Sequence, residues 1–171
     1  GSSKKSKICI DPIYNLNKSA ESSGTWLKSQ GFNLSKCIVF NTLPLNHISS
    51  LMALWRSQVW HCEYINISPH LIKNTKDLMD FSLSIRDINN KKLITSLVPT
   101  QLFRLFHTKE GLNWLKLFDL IWVGGAHISN NLFENCKKEK INLAPCYGAT
   151  ETAAMVTSLK PSEFLSGLKN Y

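Results

Sequence analysis

Five short apolar runs, each followed by a stretch of different periodicity, constrain this chain more than any single residue does. The first is Cys37-Ile38-Val39-Phe40; the others cover residues 62–67, 93–98, 117–123 and 141–144. Between them, apolar residues recur at the three- and four-residue spacing of a helix with one buried face. Met52, Leu54, Trp55 and Trp60 form one such set, and Leu71, Ile72, Leu78, Phe81 and Ile85 form a second, predicting a single helix opened by Pro69. Leu102, Leu105 and Phe106 follow a helix start at Pro99, and Leu132, Phe133 and Cys136 follow a Ser129 cap. Strands alternating with helices in this way predict an α/β fold, a mainly parallel sheet flanked by helices.

In such a sheet the chemistry gathers where strands end. The run 117–123 leads directly into Gly124-Gly125-Ala126-His127, where two glycines either leave room for a flat ligand or make a tight turn. The run 141–144 leads into Tyr147-Gly148-Ala149-Thr150-Glu151-Thr152. Gly148 permits close backbone approach, Thr150 can donate to a phosphate oxygen, and Glu151 is a hard oxygen ligand suited to magnesium. The same residues also suit an ordinary loop into a helix, with Thr150 or Thr152 as cap and Glu151 as first-turn acid. His47 is expected at the carboxyl end of the first strand, on the same edge. Upstream, residues 7–10 read as a strand fragment. Glu21-Ser22-Ser23-Gly24-Thr25 reads as a hydroxyl-rich loop, able to wrap a phosphate or to lie free on the surface, before a helix at 26–31.

Composition narrows the classes further. The net charge of +8 reflects 20 Lys and Arg against 12 Asp and Glu, but the positives are dispersed, with small clusters at Lys4, Lys5 and Lys7 and at Lys137, Lys138 and Lys140. No segment interleaves aromatics with arginines, so the charge suits anionic small molecules and solvated faces, and no nucleic-acid partner is expected. Five cysteines without a CxxC pair fit reduced thiols in a cytoplasmic protein. No run is long enough to span a membrane, and the polar start does not read as a signal peptide.

The order Ser22-Ser23-Gly24-Thr25, Leu43-Pro44-Leu45-Asn46-His47, Ser96-Leu97-Val98-Pro99-Thr100, Val123-Gly124-Gly125-Ala126 and Tyr147-Gly148-Ala149-Thr150-Glu151-Thr152 resembles the adenylate-forming superfamily of acyl-CoA synthetases. Within that superfamily it is most similar to the o-succinylbenzoate-CoA ligases of menaquinone and phylloquinone biosynthesis, over residues from about 21 to about 159. The resemblance implies an ATP-dependent ligase. A carboxylate attacks the α-phosphate of ATP, giving acyl-adenylate and pyrophosphate, and the thiol of coenzyme A then displaces AMP. It also implies roles. Tyr147 and Gly148 border the adenine, Thr150 bonds the α-phosphate, and Glu151 holds Mg2+. Gly124, Gly125 and Ala126 form a wall shared by adenine and acyl group, His47 borders the acyl and thiol route, and Ser23, Gly24 and Thr25 begin the pyrophosphate loop. The alternatives are another acyl-CoA synthetase of the superfamily or a nucleotide-binding module that lacks catalysis.

Three departures qualify the resemblance. Thr25 is followed by Trp26-Leu27-Lys28 instead of glycine, proline and lysine, and Thr25 and Leu43 stand only 18 positions apart where a loop, a helix and a strand must all fit. A segment is therefore expected to be missing after Thr25, either deleted or belonging to an unordered loop. Asn46 occupies the position of the usual aromatic before the histidine. The resemblance further implies that residues 1–171 are one domain, a fragment of the AMP-binding large domain. The ribose-binding aspartate and the small mobile C-terminal domain with its lysine are then absent, and these residues alone are not expected to turn over.

Overall fold

A computed structural model describes residues 8–168. A six-stranded sheet has the order β2-β1-β3-β4-β5-β6. The strands are β1 (Cys37–Asn41), β2 (Glu63–Asn66), β3 (Lys92–Leu97), β4 (Leu120–Val123), β5 (Leu143–Ala149) and β6 (Ala154–Ser158). The first five run parallel and β6 pairs antiparallel with β5, so the mainly parallel α/β fold expected from the alternation is the one formed.

Side chains alternate across this sheet and build a core on each face. On one face, Ile38, Phe40, Leu93, Leu97, Ile121, Val123 and Leu143 share a cluster with Leu102, Leu105, Trp114, Phe133 and Phe164. Those partners come from α5 (Pro99–Phe106), α6 (Lys109–Leu115), α7 (Asn130–Lys138) and α8 (Pro161–Ser166). On the other face Cys37, Val39, Ile94, Leu120, Trp122 and Ala144 meet Leu27, Ala53 and Trp60. Here the cover is α1 (Ile13–Lys28) and α2 (Ile48–Trp60).

Four local expectations differ from what forms. The strand fragment at 7–10 is irregular over residues 8–10, and Lys7 lies outside the described residues, as do Lys4 and Lys5. The stretch 21–25 is no loop. It is the second half of α1, because Leu16, Ala20, Ser23 and Leu27 repeat at four-, three- and four-residue steps and are all buried. Thr25 and Trp26 are consecutive residues of that helix. The helix from Pro69 is two, α3 (Pro69–Lys73) and α4 (Thr75–Leu83), because Asn74 leaves helical geometry and its side chain accepts from the Asp77 amide.

Finally, residues 147–149 continue β5 instead of leaving it. The polar motif turns back through a short 3-10 segment (Thr150–Thr152) into β6, and the helix predicted by the capping alternative does not form. Thr152 closes the turn by accepting from the Ala149 amide at 3.0 Å. Gly148 is required by close approach, since a Cβ there would stand 1.6 Å from the Ala154 carbonyl oxygen.

Candidate active site

The chain goes from β1 outward to β2 and then back across β1 to β3, so the sheet reverses its winding between β1 and β3. At such a reversal the flanking connections diverge and leave a crevice at the carboxyl ends of the strands. A cleft of about 210 Å³ lies there, bounded by Leu43 after β1, Ser96 and Val98 at β3, Gly124 and Gly125 after β4, and Gly148 and Thr150 on the hairpin. Its rim is held by polar groups that the sequence reading did not single out. The Asn41 amide donates to the Leu43 carbonyl at 3.0 Å and to Asn66 Oδ1 at 2.9 Å, while Thr42 Oγ1 donates to the Ser96 carbonyl at 2.8 Å. Gln101 Nε2 donates to the Thr42 carbonyl at 3.0 Å, tying α5 to the same edge. The only sequence signal was a polar pair closing an apolar run.

Four of the sequence-derived site residues, Gly124, Gly125, Gly148 and Thr150, meet at this cleft. Gly124 faces Cys146, whose Sγ would be 2.8 Å from an added Cβ, so this glycine is taken up by strand packing. Gly125 has a positive φ of 84°, with open space beside it apart from Val98. Glu151 lies past the turn and lines a second cleft, between α1 and β6, shared with Lys18, Ser19, Ser22 and Ser23. Tyr147 is 61% exposed, Ala126 and His47 are also exposed, and none of the three lines either cleft.

Ser23, Gly24 and Thr25 depart furthest from the loop reading. Thr25 Oγ1 donates to the Glu21 carbonyl at 3.0 Å and Ser23 Oγ to the Ser19 carbonyl at 2.7 Å, both within the helix. Gly24 lies against Trp60, whose Nε1 would be 2.8 Å from an added Cβ. These residues pack α1 on α2, and their backbone amides are consumed by the helix, so they present no phosphate loop.

The residue with the largest electrostatic consequence was read only as part of an apolar helix. Arg56, on α2, is 3% exposed and lines the first cleft. Its Nε donates to Ser23 Oγ at 3.1 Å, and its guanidinium lies 4.9 Å from the Trp122 ring centroid. Nη2 is buried without a partner, as is Trp122 Nε1, and no carboxylate pairs with Arg56 among the described residues. Burial lowers its pKa to about 10, so it is still a cation at neutral pH. Burial also pushes the neighbouring Cys146 thiol up to about 11, an effect that the Arg56 charge partly opposes. A buried cation with an unpartnered donor is costly unless an anion joins it.

Thr150 Oγ1 and the Glu151 carboxylate make no hydrogen bond or ion pair among the described residues, and both are exposed. No group of three or more His, Cys, Asp or Glu able to hold a metal occurs among the described residues. That donor set fits Mg2+ bound through one carboxylate, with the remaining positions filled by phosphate oxygens and water. It does not fit a metal caged wholly by protein.

No protein-family profile matches the chain. The chain is nevertheless similar to adenylate-forming acyl-CoA synthetases: the two curated relatives it matches are 2-succinylbenzoate-CoA ligases, and so are several of the solved structures, while the N-terminal domain of FACL13 from Mycobacterium tuberculosis shares the fold at a TM-score of 0.67 and 18% identity. It is 30% identical to the enzyme of that name from Bacillus licheniformis over 123 residues, 70% of this chain and 23% of the relative. O-succinylbenzoate coenzyme A synthetase from Bacillus subtilis, solved in complex with AMP, superposes with a TM-score of 0.75 at 25% identity, covering 98% of this chain and 32% of that one. The same Bacillus subtilis enzyme in complex with ATP and magnesium ion gives a TM-score of 0.67 at 25% identity, covering 91% and 30%. The chain thus spans 23% to 32% of the length of these enzymes, and its fold superposes on that part of them.

Proposed function

We propose that this chain is a fragment of the AMP-binding large domain of an acid-thiol ligase that activates o-succinylbenzoate with ATP and transfers it to coenzyme A. The observation that carries the substrate is Arg56, a buried cation with an unpartnered Nη2 at the cleft. o-Succinylbenzoate has two carboxylates. One is consumed when the acyl-adenylate forms, and the other keeps its charge throughout and needs a buried cation as its complement. A fatty acid offers no such second charge, so Arg56 favours the dicarboxylic substrate over the other acyl-CoA synthetases.

In this reading Thr150 donates to the α-phosphate from the hairpin turn, and Tyr147 and Gly148 border the adenine. Gly124, Gly125 and Ala126 form the wall between adenine and acyl group, with His47 at the outer rim on the acyl and thiol route. Glu151 would hold Mg2+, which offsets phosphate charge during transfer. The relatives that bind AMP and ATP with magnesium ion support this assignment. The partners are then ATP, the acid and coenzyme A. Five free cysteines support a reducing, cytoplasmic setting, and no helix among the described residues is long and apolar enough to cross a membrane.

Pyrophosphate release tests this reading. A protein carrying this segment in the full length of its relatives is offered o-succinylbenzoate, benzoate and a fatty acid with ATP and Mg2+. The first should be preferred, and Glu151→Gln should weaken the Mg2+-dependent step more than folding; a preference for the fatty acid would overturn the quinone assignment. A nucleotide-binding module without catalysis is favoured by one observation, the unbroken passage of α1 through Ser23, Gly24 and Thr25. It predicts AMP binding with no pyrophosphate released.

A further inference from the structure

We propose that Ser23 is a positioning residue for the Arg56 anion receptor, holding the guanidinium so that its free edge serves the substrate's second carboxylate. The proposal rests on the reading of Arg56 given above and extends it to a residue on a different helix. Four torsions separate the Arg56 backbone from its guanidinium, so an unrestrained side chain would sample many positions before meeting an anion. Two contacts remove that freedom. The Trp122 ring lies 4.9 Å from the guanidinium carbon, and Ser23 Oγ accepts from Nε at 3.1 Å.

The Ser23 hydroxyl is itself directed. Its proton goes to the Ser19 carbonyl at 2.7 Å, with the Ala20 carbonyl further away at 3.1 Å, so its lone pairs face Arg56. Both residues are nearly inaccessible, at 5% and 3% exposure, so water does not compete for the bond. With Nε occupied by Ser23, the two terminal nitrogens are left over, and Nη2 is buried without a partner. A planar guanidinium fixed along one edge presents the other in a set orientation, the preorganisation that bidentate carboxylate binding needs. Ser23 also lines the second cleft, whereas Arg56 lines the first.

The test uses the 171-residue protein and two probes of nearly equal shape, o-succinylbenzoate and 4-(2-methylphenyl)-4-oxobutanoate, which keeps the succinyl carboxylate that becomes the acyl group and carries a methyl in place of the ring carboxylate. Affinities are measured by calorimetric titration for the wild type, Ser23→Ala, Ser23→Thr and Arg56→Gln. A general loosening of the fold would weaken both probes together, so the readout is their affinity ratio. The wild type should favour o-succinylbenzoate by about tenfold or more, Arg56→Gln should abolish the preference, and Ser23→Ala should reduce it about three- to fivefold, with Ser23→Thr restoring it. An unchanged ratio in Ser23→Ala alongside a lost one in Arg56→Gln overturns the positioning role and leaves the substrate reading standing. No preference in the wild type overturns both.

Discussion

Two stretches of this chain carry the same chemistry, hydroxyls beside a glycine, and meet opposite fates. Residues 22–25 lie inside α1 with the Ser23 and Thr25 hydroxyls turned onto helix carbonyls, whereas residues 147–151 lie on a hairpin at the open edge of the sheet with Thr150 and Glu151 free. Composition does not separate them; the partners of the backbone do. A helix satisfies its amides internally and leaves none for a phosphate, while the end of a strand beside a winding reversal leaves groups facing a cleft. The two glycines differ likewise. Gly148 is demanded by a carbonyl of the partner strand, and Gly24 by the side chains of Trp60 and Leu34.

Substitution of the glycines is the sharpest way to break this contrast. Gly148→Ala should be the most damaging change, since the hairpin must open to admit a methyl group; a loss of about 3 kcal/mol in urea unfolding is expected, and a loss under 1 kcal/mol would mean that the hairpin does not close as described. Arg56→Met comes next and has the opposite sign. Removing a buried, unpaired cation should raise stability by about 1–2 kcal/mol without ligand while eliminating the proposed preference for o-succinylbenzoate, as read by paired unfolding and titration curves.

Gly24→Ala should cost only about 1 kcal/mol, because helix propensity recovers part of the clash and the Leu34 tip can yield. Smallest of all, Thr25→Ala should shift stability by less than about 0.5 kcal/mol, since its hydroxyl bonds only within an exposed turn of helix. It should also leave AMP affinity unchanged in a direct titration. A fall in nucleotide affinity would instead show residues 22–25 unwinding into a phosphate-binding loop.

Much of the α/β framework was legible because burial leaves a local record. The run 93–98 maps onto β3, Pro99 onto the start of α5 and Ser129 onto the cap of α7, each set by neighbours a few residues apart. The misreadings share a cause. Ala20 and Ser23 are small and hydroxyl-rich company hid their helical spacing, yet both are buried beneath α2. Asn74 looked like one more polar residue inside a periodic stretch, and only its capping bond shows that the helix restarts there. Within the site, Gly124, Gly125, Gly148 and Thr150 were found from strand ends, while Arg56 was passed over as one position of an apolar helix.

By itself the sequence determined the alternation of strands and helices and the edge on which chemistry gathers, since periodicity and strand ends are properties of short segments. Tertiary structure alone decided that Tyr147 to Glu151 turn back as a hairpin, with Thr150 on one cleft and Glu151 on the next. It also decided that Ser23 and Trp122, 99 positions apart, converge on one guanidinium. The physical reason is that a buried charge acquires its meaning from what surrounds it and from what is missing there. No window of local sequence records that Arg56 is sealed from water on one side and left without a counter-charge on the other.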